Sequence, residues 1–389
     1  MSDSESNIFK NVVFVSKKQH SFFDPYINAV CDYGDIESSF IFSPTSQKDL
    51  NENIYDVVND RNATCLFICG EYVINKILLE KLSKLFLIRL GGDDDMFFDV
   101  YTKDISNYFD VNLTTSHWCH SKMLEMGVNS ILIPSMYKSN QKYPKCTEKY
   151  DVSFCGAMDT KHGRNEYLGA LLDDGVNTHL FGRGTSNGYL DRDEMFELYL
   201  DSKINLNFSG VDSNKDYISK ISSMNLIERK QLKGRIFEIM HQGGFVLTED
   251  CPDIKYFFTP GVDLVTFKNK DELVKLVHYY LGDNEARELI RNNGYKSVQK
   301  HSYKVFAPKV VKNLLSYKKT SQPIYGVSPK CSKYVALVLA NDGIFFFKPN
   351  FSTSASYGYS TAIWYCFFYG RLILSKLNIY FKRYILSFK

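Results

Sequence analysis

From residue 11 to residue 292 the chain alternates short apolar runs with longer segments of mixed polarity, and this rhythm limits its fold more than any other feature. In the first half, residues 11–15, 39–42, 64–69, 85–90, 111–115 and 130–133 have strand length and are largely apolar. Between them, segments such as residues 72–82 place Val73, Ile77, Leu78 and Leu82 near three-and-four spacing, the period of a helix. Strands separated by helices pair through crossovers, so the sheet is parallel and covered on both faces. One doubly wound α/β domain is expected over residues 1–137. Cys65 and Cys69 share one of its strands and read as core residues.

The polar stretch at 138–149 breaks the pattern and reads as a linker, after which the same rhythm resumes. Strands are expected at 152–155, 178–181, 204–208, 245–247 and 264–267. Helices fit 165–172, 192–200, 234–241, 270–281 and 284–292, with Asp271 and Glu272 suiting the positive end of the fourth. A second α/β domain with a closing helix therefore spans 150–315, and the two domains enclose a cleft.

The chain has 389 residues, 44% hydrophobic and 23% charged, enough for two large cores and incompatible with disorder. Its net charge of +3 is unevenly distributed. Residues 316–389 hold ten Lys or Arg against the single acid Asp342, a net of +9, and 18 of the 58 aromatics; the remainder is −6. An acidic body argues against a nucleic-acid partner, which needs surplus bases. The first 20 residues lack the basic leader and apolar core of a signal peptide. Nine scattered cysteines fit a reducing, cytoplasmic setting better than a disulfide framework.

In open parallel sheets, ligands sit beyond the carboxyl ends of the strands. Three segments follow such ends. After 152–155 come Gly156 and then Lys161, His162, Gly163 and Arg164 before a helix. After 178–181 comes Gly182 in a glycine-rich loop. Either could hold an anion on backbone amides and bases, or could be ordinary turn chemistry. The segment from Lys233 to Asp250 is more informative. Lys233 and Arg235 stand at the start of a helix packed by Ile236, Phe237, Ile239 and Met240, and Gly243 and Gly244 end it before the next strand. Arg235 and Glu238 share a helical face, suited to a pyrophosphate and a ribose diol, or to a simple intrahelical pair.

These residues carry a resemblance. Arg235, Phe237, Glu238, Gly243, Gly244, Phe245, Leu247 and Thr248 are followed by Phe257, Phe258, Pro260, Gly261, Asp263, Val265 and Phe267, then by His301, Ser302 and Tyr303. In that order they resemble the donor half of group 1 GT-B glycosyltransferases, nearest the spore-protein CgeB-like branch. The likeness runs over about residues 85–305. It implies two Rossmann-like domains facing a cleft and sugar transfer from a nucleotide diphosphate donor to a glycan, lipid or protein acceptor. It also implies no cofactor and no metal. Donor-binding residues would be Gly156, Arg164, Gly182, Lys233, Arg235, Glu238, Gly243 and Gly244, with Glu238 on the ribose. One departure stands out: the glutamate that such enzymes often carry eight residues before the ribose-binding one is Lys230 here.

On the acceptor side, Asp93, Asp94 and Asp95 follow a strand end. Crowded carboxylates raise one another's pKa toward that of a general base, for which Asp93 and Asp94 are the candidates; the alternative is capping of the next helix. His117 and His120 also follow a strand and suit a substrate contact, while a metal site lacks a fourth ligand at suitable spacing. In the tail, an Asp-Gly pair between apolar runs predicts a β-hairpin over 334–347. The aromatic and basic residues beyond it suit either a membrane surface or a helix docked on the body. Two rivals keep the fold: a sugar- or nucleotide-binding protein without turnover, favoured by Lys230, and a nucleotide-sugar epimerase.

Overall fold

The computed structural model describes residues 8–17, 22–70, 72–137, 147–158, 163–211, 222, 224–225, 228–320, 328–345, 354, 361–366 and 368–369. The first domain runs β1 (Asn11–Val15), α1 (Asp24–Tyr33), β2 (Ser38–Phe42), α2 (Gln47–Asp60), β3 (Cys65–Cys69), α3 (Lys76–Leu82), β4 (Phe86–Leu90), α4 (Asp94–Phe97), β5 (Val111–Thr114), α5 (His117–Glu125) and β6 (Ser130–Leu132). A π-helical turn, Phe98–Thr102, continues α4 directly. The second runs β7 (Tyr150–Cys155), α6 (Arg164–Asp173), β8 (Thr178–Phe181), α7 (Arg192–Asp201), β9 (Ser202–Asn207), α8 (Gly234–His241), β10 (Val246–Glu249), β11 (Val265–Phe267), α9 (Lys270–Gly282) and α10 (Asn284–Val298). Helices α11 (Tyr303–Leu315) and α12 (Pro329–Phe345) follow.

Both sheets are parallel, in the orders β2-β1-β3-β4-β5-β6 and β11-β10-β9-β7-β8. Strand periodicity explains the two-faced core of the first. Val13, Val15, Leu66 and Ile68 join one apolar cluster with α2 and α3, whereas Val12, Phe14, Cys65, Phe67 and Cys69 join another with α1. The order reverses between β1 and β3 and again between β7 and β9, and ligands bind at such switch points.

Three expectations change. Helix α11, expected to close the second domain, packs instead on the first: Ala307, Val310, Val311 and Leu314 share the core cluster of α1. The return crossing runs beside the outgoing one, with a bridge between Tyr137 and Ser302 and a 3.0 Å hydrogen bond from the Tyr303 N–H to the Tyr137 carbonyl. The predicted hairpin is absent over residues 334–345, which belong to α12; residues 346 and 347 lie outside the described set. Its apolar residues bury a helical face, Cys331, Tyr334, Val335 and Leu339, against the first domain's core. Among the described tail residues, Tyr365 joins that core too, and Trp364, Phe368 and Tyr369 pack against it. Among the described residues no helix is long and apolar enough to cross a membrane.

Candidate active site

The switch point of the second sheet gathers positive charge. Strand β7 ends at Cys155, and the Phe154 ring behind it carries two guanidinium groups, Arg164 at 5.1 Å and Arg235 at 5.4 Å from its centroid. Arg164 donates from Nη1 to the Ala157 carbonyl at 2.5 Å, which fixes it beside the loop. A Cβ on Gly156 would come 3.1 Å from Arg235 Nη2, so glycine there leaves room for the guanidinium. Lys233, just before α8, donates to Gln231 at 2.9 Å. Burial pulls its ammonium down; Asp93 and Asp95 across the cleft push it back up, and Arg164 adds to the lowering. Two arginines and a lysine are therefore gathered near the Phe154 ring and the start of α8, with Asp93, Asp95 and Glu238 as nearby counter-charges.

One turn further along α8, Glu238 hydrogen-bonds Tyr137. Burial raises its carboxyl pKa, while Arg235, Tyr137 and Arg192 hold it down. Beside this helix lies a cavity of about 430 Å³ lined by Tyr137 at the end of the first domain, by Arg192, Phe196 and Gln242 of the second, and by Asp24 and Asn28 at the start of α1. It is an aromatic and polar space to which both domains contribute.

Three of the glycines singled out from sequence have structural tasks. Gly182 has φ +111°, and a Cβ there would lie 2.5 Å from the Gly156 carbonyl oxygen, so the close approach is between two turns of the protein itself. Gly243, at φ +79°, ends α8. Gly244 sits against Ile239, the Tyr199 carbonyl and Asn205. Both lie between α8 and the amino end of β10. Lys161 and His162 lie outside the described residues.

Across the cleft, the three aspartates separate. Asp93 is exposed at the start of α4 and makes no side-chain cap, so the capping alternative is not what it does. Asp94 is buried in an ion pair with Arg89 at 2.6 Å and accepts from Thr102 at 3.2 Å; its carboxylate belongs to the first domain's interior. Asp95 is buried too and takes Arg229 of the second domain at 2.6 Å. Burial raises the Asp95 pKa to about 6 against the pull of Arg229. His117 stacks on Tyr256, ring centroids 3.4 Å apart, and its backbone N–H donates to Asp253 at 3.0 Å. His120 contacts Ser130 at 3.0 Å, and burial, then His117, lowers its pKa. The histidines thus serve the contact between domains and the first domain's own packing. Among the described residues no group of three His, Cys, Asp or Glu side chains is placed to hold a metal.

Sequence reading grouped Asp95 with its neighbours but missed its partner Arg229, and it missed Asp253, Tyr256 and the Tyr137–Glu238 bond. Only Tyr137, aromatic at the end of an apolar run and just before the linker, offered a local signal.

Residues 164–310 match the glycosyl transferase-like family Glyco_trans_1_2. Among solved structures, Anabaena HepE in complex with UDP and glucose is similar at 11% identity and TM-score 0.56, over 79% of this chain and 99% of that one. Sucrose-phosphate synthase from Thermosynechococcus elongatus is similar at 11% identity and TM-score 0.58, over 78% and 98%. No curated protein matches the sequence. At such identities the structural likeness speaks for the fold, and the family match speaks for the second domain. Together, two parallel sheets in this arrangement and the likeness to these solved structures give the chain the GT-B fold, and residues 164–310 match a glycosyl transferase-like family.

Proposed function

We propose that the chain transfers a sugar from a nucleotide diphosphate donor to a hydroxyl acceptor, with Arg164, Lys233 and Arg235 holding the diphosphate and Glu238 the ribose. The observation that carries this is the convergence of two guanidinium groups on the single Phe154 ring. The acceptor oxygen bonds to the anomeric carbon as the bond from that carbon to the diphosphate oxygen breaks. The electron pair leaves with the diphosphate, and the acceptor proton passes to Asp93. Three cations and the α8 amides supply the charge that stabilises the leaving group, which is the role a metal ion would otherwise fill. Of the two original candidates for the base, Asp93 is the better placed, because Asp94 is committed to Arg89.

The acceptor is a glycan, lipid or protein hydroxyl in this reading, and the nucleotide's base enters the cavity beside Arg192 and Phe196. The ordered motifs support placement near the CgeB-like branch. At Lys230 the chain has an ion pair with Glu249, Nζ to Oε1 3.0 Å, and the other Glu249 oxygen accepts from the Ser209 N–H at 3.0 Å. Sugar recognition at that point therefore goes through a paired cation and carboxylate. Incubation with a panel of nucleotide sugars tests the reading: nucleotide released in an acceptor-dependent way supports transfer. An altered sugar would point to epimerisation, and saturable binding with neither product would point to a binding protein.

A further inference from the structure

The basic tail, which neither the family match nor the motifs reach, is docked against the acidic segment that follows Asp93. Ser328 donates from Oγ and from its backbone N–H to the two oxygens of Asp104, at 2.7 and 3.1 Å, and its Oγ also accepts from the Cys331 N–H at 3.2 Å. Two residues on, Lys330 pairs with Asp99 at 2.9 Å. Tyr334 then lies against Phe97 and Tyr101, at centroid distances of 5.5 and 5.3 Å. All four partners lie on the short run that comprises α4, its π-helical turn and the residues after it. Such π-helical turns are rare and recur at functional sites. The run is held from inside by Arg89 on Asp94 and from outside by the tail.

The Asp99 carboxylate is a junction of three parts of the chain. Lys103 of the first domain sits on Oδ1 at 2.8 Å; Lys330 of the tail and Ser222 of the second domain both reach Oδ2, at 2.9 and 3.3 Å. The same stretch of the second domain supplies Arg229 to Asp95. A helix that merely added stability would have no reason to place its cation on the oxygen that the opposite domain also contacts.

We propose that α12 is a positioning element for the acceptor-side acidic segment: through Ser328, Lys330 and Tyr334 it sets residues 94–105 and thereby the exposed Asp93 at their head. The proposal rests on the reading of Asp93 as the base. Its test is hydrogen–deuterium exchange on the full chain, with Lys330→Met, which keeps the stem and removes the charge, and Tyr334→Leu as a second variant. Amides of residues 94–105 exchange about tenfold faster in both variants, those of α8 exchange at the wild-type rate, and Lys330→Arg restores protection. With UDP-glucose as the probe donor, kcat for release of UDP falls in Lys330→Met while KM stays unchanged. Wild-type exchange over 94–105 in both variants, exchange raised equally in α8, or an unchanged kcat overturns the proposal. Asp93→Asn run alongside separates the two ideas. If it keeps full turnover, the base reading fails on that result alone, and the exchange data still decide whether the tail sets the segment.

Discussion

Arg229 donates two hydrogen bonds, from Nε at 2.9 Å and from Nη2 at 2.6 Å, to one oxygen of Asp95, a residue 134 positions away in the other domain. The guanidinium also lies 3.9 Å from the centroid of the Trp118 ring. A charge pair between domains, with its carboxylate out of water, costs desolvation that the geometry only partly offsets. That balance has a pH signature.

Burial sets the Asp95 pKa at about 6 in the folded protein, above its ordinary 3.8. The folded state therefore holds a proton that the unfolded chain has released between those values. The stability this group withholds at neutral pH returns as pH falls from 6 toward 4, at roughly 1.4 kcal/mol per pH unit. Relative to Asp95→Asn, the wild type should gain stability over that window. Urea midpoints of the two proteins at several pH values check this, and a gap that does not change with pH rejects it.

His241 and His301 act in the opposite sense. Burial lowers both to about 4, so each must stay neutral in the folded state. Their contribution is complete above the ordinary value of 6.5 and is lost as pH falls from there toward 4, at roughly 1.4 kcal/mol per unit for each. His241, fully enclosed, is the cleaner probe. In His241→Phe the acid-side loss of stability should be shallower by one proton; denaturation curves of equal steepness in pH for the two proteins would show the ring is not titrating there.

At the donor site, Arg235→Ala and Glu238→Ala should each weaken UDP binding about tenfold to a hundredfold, the worth of a charge-assisted hydrogen bond. Thermal midpoints should stay near the wild type for Arg235→Ala, whose side chain is only partly buried. Calorimetric titration with UDP measures both effects. Unaltered affinity in the two variants removes the donor assignment.

Adjacent aspartates should separate cleanly. Asp93→Asn is expected to cut turnover about a hundredfold or more, as loss of a general base does, with little change in stability. Asp94→Asn leaves Arg89 buried without its counter-charge and should cost about 3 kcal/mol or more of folding stability. Paired activity and denaturation measurements distinguish them; equal effects on turnover would mean that burial does not sort their roles.

What the sequence made legible is what local pattern encodes. Alternation along β1 and β3 and the helical spacing in α8 place their residues without any knowledge of distant partners, and the helix holding Arg235 and Glu238 is eight residues long. The hairpin reading of the tail failed because its apolar residues, broken by Asn341-Asp342-Gly343, fit either period, and burial of Tyr334 and Val335 on the first domain decides for a helix. Glycine patterns marked turns correctly but could not say which backbone approaches which: Gly182 meets Gly156, not a ligand. Arg229 on Asp95 and Asp253 on His117 join residues more than 130 apart, beyond anything periodicity reports.

The paired crossings at Tyr137 and Tyr303 have a mechanical meaning. Tyr137, where the chain leaves the first domain, is bridged to Ser302 and hydrogen-bonded to Tyr303, where it returns, so exit and return are tied at one point, a pivot between the domains. Gly234 sits at this pivot, where an added Cβ would stand 2.9 Å from Ser135 Oγ and 3.5 Å from the Tyr137 hydroxyl. The first residue of α8, the helix that carries Arg235 and Glu238, thus packs directly on this pivot, with no room there for a side chain.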